Sequence, residues 1–111
     1  MDTLNKYHEI ICQLFEGYVE IESSNDDIRV ESIIDPEKGH YQILLTGWMN
    51  GSRVHGTTIH IDVIGDKVWV QHDSTSLGVV DDLLEAGIPK DKIVLGFKPP
   101  HVRPLTGFAA A

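Results

Sequence analysis

His60 and Asp62 stand two residues apart in the run Ile59-His60-Ile61-Asp62. On a strand, that spacing aims an imidazole and a carboxylate to the same side. His72 and Asp73 close the next apolar run. Imidazole and carboxylate together can hold a transition metal or move a proton. A metal requires three converging ligands even in an open site, so the position of His72 decides between these chemistries.

The turns set that position. Asn50-Gly51 and Gly65-Asp66 each separate two apolar runs. Asn-Gly suits a type I′ hairpin turn and a leading glycine suits type II′. With two-residue loops, Trp48 faces Arg53, Thr46 faces His55 and Leu44 faces Thr57. In the second hairpin Val63 faces Val68, Asp62 faces Trp69, Ile61 faces Val70, His60 faces Gln71 and Ile59 faces His72. Alternation then gives a core face of Leu44, Thr57, Ile59, Ile61, Val63, Val68 and Val70. The second face is mixed and carries Ile43, Leu45, Val54, His60, Asp62, Trp69 and Gln71. His72 falls on the opposite face from His60. The expectation is therefore no metal and no cofactor. His60, Asp62 and Gln71 instead form a hydrogen-bonded polar patch beside Trp69, with His72 and Asp73 as its further candidate members.

Other chemistry is thinner still. Cys12 sits among Ile10, Ile11, Leu14 and Phe15 and reads as a small buried hydrophobe with no cationic neighbour to activate it. No serine occupies a Gly-x-Ser-x-Gly turn, and no glycine-rich phosphate loop is present. No catalytic residue can be assigned. Trp48 can stack on Arg53, and tryptophan and arginine dominate binding hot spots. Trp48, Arg53, Trp69, Phe97, Pro99 and Pro100 are the candidate interface residues; packing within the domain is the alternative for each.

The elements that position these groups follow from periodicity. Residues 3–20 place Leu4, Tyr7, Ile10, Ile11, Leu14, Phe15 and Tyr18 on one helical stripe. Residues 29–34 are rich in β-branched side chains and read as a first strand, closed by turn chemistry at 35–39. Residues 74–86 read as a second helix, with Leu77, Val80, Leu83 and Leu84 on its stripe and Gly87 at its end. Residues 92–97 read as a fifth strand. Pro99, Pro100 and Pro104 force an irregular tail. The order α-β-β-β-β-α-β fits a single α+β domain over 1–111, an antiparallel β-meander with both helices on one face.

A chain of 111 residues buries roughly 65% of its unfolded surface, enough for one core without staples. With one cysteine, no charged leader and no apolar run of membrane-spanning length, a cytoplasmic protein is expected. The net charge is -8, and residues 1–37 hold ten acids and two bases. Such a chain repels phosphate backbones, so direct nucleic-acid binding is not expected. The apolar groups on the mixed face and tail suggest a two-fold homodimer or higher homo-oligomer.

Several short motifs carry a resemblance when read together. They are Leu4-Asn5-Lys6-Tyr7, Asp35 with His40-Tyr41-Gln42, Gly47-Trp48, Arg53-Val54-His55-Gly56, Ile59-His60-Ile61-Asp62, Trp69-Val70-Gln71-His72-Asp73, and Leu84-x-x-Gly87-Ile88-Pro89-Lys90-x-x-Ile93-Val94-Leu95-Gly96-Phe97. In this order they resemble the XisI family, the fdxN-element excision controlling factors of heterocyst-forming cyanobacteria. The resemblance implies an accessory factor, distinct from the recombinase, that accompanies a XisH-like protein related to restriction-endonuclease-type nucleases. It implies no catalytic residues. Two other readings stay open. One is a small hydrolase or nuclease-like enzyme using His60, Asp62 and His72. The other is an antitoxin-like restraint of a nuclease-like partner.

Overall fold

The structure, a computed structural model, describes residues 2–22, 26–75 and 78–111. Helix α1 (Asp2–Glu22) precedes four strands, β1 (Ile28–Asp35), β2 (His40–Met49), β3 (Ser52–Ile64) and β4 (Lys67–Asp73). Helix α2 (Val79–Glu85) and strand β5 (Ile93–Leu95) follow. The five strands form one sheet in the order β1-β2-β3-β4-β5. The first four pair antiparallel, while β5 joins β4 in parallel. The parallel pair exists because α2 carries the chain back across the sheet between β4 and β5, as a crossover must. Among the described residues no helix is long and apolar enough to cross a membrane.

Both helices cover the same sheet face. Tyr7, Ile11, Phe15 and Tyr18 of α1 and Val79 and Leu83 of α2 bury against Tyr41, Ile43, Ile59, Ile61, Val68 and Val70. The helical stripe of α1 is thus the expected one; the side chain of Leu4 lies outside the described residues. Tyr18 ties the two helices together by donating its hydroxyl to the Asp82 carboxylate. Burial and this carboxylate together push the Tyr18 phenol well above its usual range.

The second helix is shorter than its pattern suggested. Gly78 is left-handed at φ 73, which a helix interior excludes, so α2 starts at Val79. The Asp73 carboxylate accepts the backbone N–H groups of Thr75 at 2.9 Å and of Val79, the first residue of α2, at 3.0 Å. Leu77, expected on the packing stripe, lies outside the described residues. At the other end Ile88 donates its N–H to the Leu83 carbonyl at 3.1 Å and is itself buried, the closure that Gly87 permits.

The hairpin turns have the expected backbone, with Asn50 and Gly51 both at positive φ and Gly65 leading the second turn. The register next to each turn is also as read, from Trp48↔Arg53 to Leu44↔Thr57 and from Val63↔Val68 to Ile61↔Val70. Farther from the turns it slips twice. Ile43 pairs with Ile59, leaving Thr58 as an extra residue in β3. His60 pairs with His72, leaving Gln71 as an extra residue in β4. Each slip is a β-bulge, and a one-residue shift exchanges the faces that side chains meet. Ile43 therefore belongs to the core and is fully buried, whereas Leu44 does not. Thr57 leaves the core face and donates its hydroxyl to Gln42 at 3.0 Å. His72 comes opposite His60, where the unbroken register had set it on the other face.

Ile61 sits at the centre of the covered face with no exposed surface. Ile61→Ala is expected to cost roughly 2–5 kcal/mol of folding stability, read as a lowered urea midpoint at constant slope. Ile33→Ala, on the outer strand and largely exposed, is expected to leave the midpoint nearly unchanged.

Candidate functional site

Asp62 organises the face that the helices leave open. Among the described residues it is the one charged residue that is buried. The bulge at Thr58 brings His40 directly opposite Asp62, and Gln42 opposite His60. His40 Nδ1 then lies 2.8 Å from Asp62 Oδ1, and His60 Nε2 lies 2.9 Å from the same oxygen. Gln71, the extra residue of the second bulge, donates its amide to Asp62 Oδ2 at 3.1 Å. Burial pushes the Asp62 carboxyl up, but hydrogen bonds from His40 and His60, the His60 charge and the Gln71 bond outweigh it, and the net is a lowered pKa. Asp62 is thus held as a carboxylate, with both oxygens engaged.

The expected patch of His60, Asp62 and Gln71 is assembled as a bonded network. Its neighbour Trp69, register partner of Asp62, is half-buried, with the Arg103 guanidinium 5.0 Å from its ring centre. His72 borders the patch as the partner of His60 but is exposed. Asp73 is not part of it; its bonds to Thr75 and Val79 serve the start of α2. The third imidazole-carboxylate member is His40, which spacing alone missed because an unbroken register sets it opposite Ile61. His40 in turn is the group that an enzyme reading based on His60, Asp62 and His72 lacked.

The candidate interface residues divide. Trp48 and Arg53 stack at the β2–β3 tip, 5.5 Å from guanidinium to ring, and Trp48 is 57% exposed. Phe97, Pro99 and Pro100 are exposed on the segment after β5. That segment then turns back: Arg103 donates to the Lys98 carbonyl at 3.0 Å, and the Ala109 N–H donates to the Ile93 carbonyl at 2.9 Å. The tail therefore packs on its own domain, closing the β5 edge. Gly96 makes the crossing feasible, since a Cβ there would come 2.5 Å from Gln71 Oε1.

On the other side of the sheet, a cleft of about 410 Å³ opens between the start of α1 and the turns around Pro36–Gly39 and Gly65. His8 lines it and lies 2.9 Å from the Tyr41 hydroxyl. His8 Nε2 is also 3.5 Å from Cys12 Sγ, a helical i, i+4 contact that the sequence reading overlooked. Burial, helped by Glu16, pushes the Cys12 thiol up, so it is a poor nucleophile despite this imidazole.

The lowered Asp62 pKa has a pH consequence. Its stabilising contribution is complete above the unfolded carboxylate range and is lost as pH falls through the folded value. Asp62→Asn is expected to cost about 1–3 kcal/mol at neutral pH. The gap to wild type should narrow in acid, as measured by urea unfolding across pH 2–7. A gap independent of pH would mean that the charge of Asp62 contributes nothing.

A family model described as XisI protein matches residues 1–110. Among solved structures, a XisI-like protein from Anabaena variabilis ATCC 29413 is 33% identical, covers 97% of this chain and 99% of its own, and superposes with a TM-score of 0.91. The fdxN element excision controlling factor XisI from the same organism is 35% identical over 98% of this chain and 99% of its own, with a TM-score of 0.84. No curated protein matches. The family model spans nearly the whole chain and both solved structures share its overall fold at more than 30% identity, so the chain belongs to the XisI family.

Proposed function

We propose that this chain is an accessory factor in the excision of a DNA element, acting without chemistry of its own by binding a XisH-like protein. The observation that carries this reading is the end-to-end similarity to the fdxN element excision controlling factor XisI. The charge distribution supports it. At net -8, with two bases among the first 37 residues, the chain as a whole repels duplex DNA rather than releasing its counterions. Its open sheet face instead ends in a tryptophan–arginine pair at the β2–β3 tip, the side-chain types that anchor protein interfaces. The acidic N-terminal third can speed encounter with a basic partner, while Trp48 sets how long the complex lasts. In the absence of that partner the chain is proposed to self-associate as a two-fold dimer.

Co-expression with the XisH-like protein from the same genome is expected to yield a complex that survives size exclusion at low salt. Trp48→Ala should weaken it by about 2 kcal/mol, some 30-fold in Kd, without lowering the melting temperature. A gel shift with this chain alone should show no retarded duplex. Light scattering of the lone chain at tens of micromolar should give twice the monomer mass. Tight, salt-sensitive DNA binding by this chain alone, or failure of the two proteins to associate, would sink the accessory role.

A further inference from the structure

Three nitrogen and oxygen atoms meet on the open face in an arrangement that serves more than hydrogen bonding. One ligand atom from each of His40, His60 and Asp62 lies within 4.8 Å of the other two. The separations from Asp62 Oδ1 are 2.8 Å and 2.9 Å. Ligand atoms around a zinc-sized ion, at bond lengths of about 2.1 Å, lie roughly 3.0–3.4 Å apart. The two imidazole nitrogens need to move only a few tenths of an ångström from Asp62 Oδ1 to admit one, and they themselves lie within 4.8 Å of each other. They come from neighbouring strands, His40 on β2 and the other two on β3, so the sheet itself fixes their spacing.

The surroundings fit the same use. Asp62 is held from behind by the Gln71 amide on Oδ2, leaving Oδ1 aimed at the two imidazoles. Outer partners of this kind orient metal-bound carboxylates. Exposure is graded in the useful direction: the side chain of Asp62 is 12% exposed, that of His60 31% and that of His40 53%. The carboxylate forms the floor and the imidazoles the rim, so an ion can enter from solvent and keep a water-filled position.

We propose that His40, His60 and Asp62 bind one divalent first-row transition-metal ion, with Gln71 positioning the carboxylate. The donor set of two imidazoles and one carboxylate suits zinc, cobalt, nickel or iron and disfavours calcium and magnesium, which take oxygen ligands. Binding requires each imidazole to turn a lone pair toward the ion. His40 then carries its proton on Nε2 and His60 on Nδ1, an exchange that solvent mediates at this exposure. No turnover is assigned to the site.

The test is isothermal titration of zinc chloride into chelator-stripped full-length protein. One saturable equivalent is expected. His40→Ala should remove it while remaining folded, with at most a small drop in melting temperature, because His40 is an exposed residue that makes one hydrogen bond to Asp62. His60→Ala should also remove it. Gln71→Leu should weaken it by about 10- to 100-fold. His55→Ala, farther along β3, should leave it unchanged. Cobalt substitution should give visible absorption that disappears in His40→Ala. Absence of saturable zinc uptake by the wild type, or wild-type affinity in both His40→Ala and His60→Ala, would overturn the proposal. These readouts are independent of any partner or DNA, so they stand apart from the excision role.

Discussion

A strand has two faces, and one extra residue in a ladder exchanges them. The placement of polar groups in this protein depends on that constraint being applied twice. Beyond the Asn50–Gly51 turn the ladder begins with Met49 against Ser52; were it unbroken, Tyr41 would meet His60 and Ile43 would meet Thr58. Apolar and polar groups would then share each face. Thr58 absorbs one position, and Tyr41 and Ile43 fall in with Ile61 and Ile59 beneath the helices. The same shift brings His40 and Gln42 across from Asp62 and His60 on the other side. Core formation and assembly of the carboxylate network are therefore one event. Gln71 repeats the device in β4, where it frees Asp73 to reach the start of α2.

Much of this was legible in the residues. Turn chemistry located both hairpins, helical periodicity found α1, and glycine with proline ended α2. The failures trace to bulges and to one loop. An unbroken register extended from each turn gives a second face mixing Ile43, Leu45 and Val54 with His60 and Asp62. That mixture was itself a sign. Ile43 and Ile59 are both strongly apolar and can share a face only if a residue is absorbed between them. A bulge without glycine, as at Thr58, leaves no compositional mark, so only the clash of the two apolar patterns reveals it. The start of α2 was misplaced for a different reason. Ser74 and Thr75 are good caps locally, but Gly78 takes a left-handed backbone and Asp73 bonds past them.

The sheet is asymmetric in what covers it. The helices cover one face, whereas on the other the returning tail covers chiefly the β4–β5 side. Arg103 lies over Trp69, and Ala109 bridges to Val94, which is fully buried although its neighbours Ile93 and Leu95 point to the helices. The β1–β3 side of that face keeps Ile33 and Trp48 in solvent. Asp62 and its imidazoles lie between the covered and uncovered halves. A charged group in that position is shielded enough to stay ordered and open enough to meet something from outside.

The single parallel strand also orders events in time. Two-residue hairpins bring β2, β3 and β4 together from neighbouring sequence, on a scale of microseconds for an isolated hairpin. β5 pairs with β4 only across the longer connection that contains α2, which costs more chain entropy to close than a two-residue hairpin, and the Ala109 bridge forms on β5 itself. The two tryptophans straddle this sequence. Trp48 stays in water at a hairpin tip, whereas Trp69 reaches its final surroundings only when Arg103 settles over it. The two indoles therefore sit in different surroundings, one in water at a hairpin tip and one beneath an arginine from the tail, and removing Arg103 alters those of Trp69 alone.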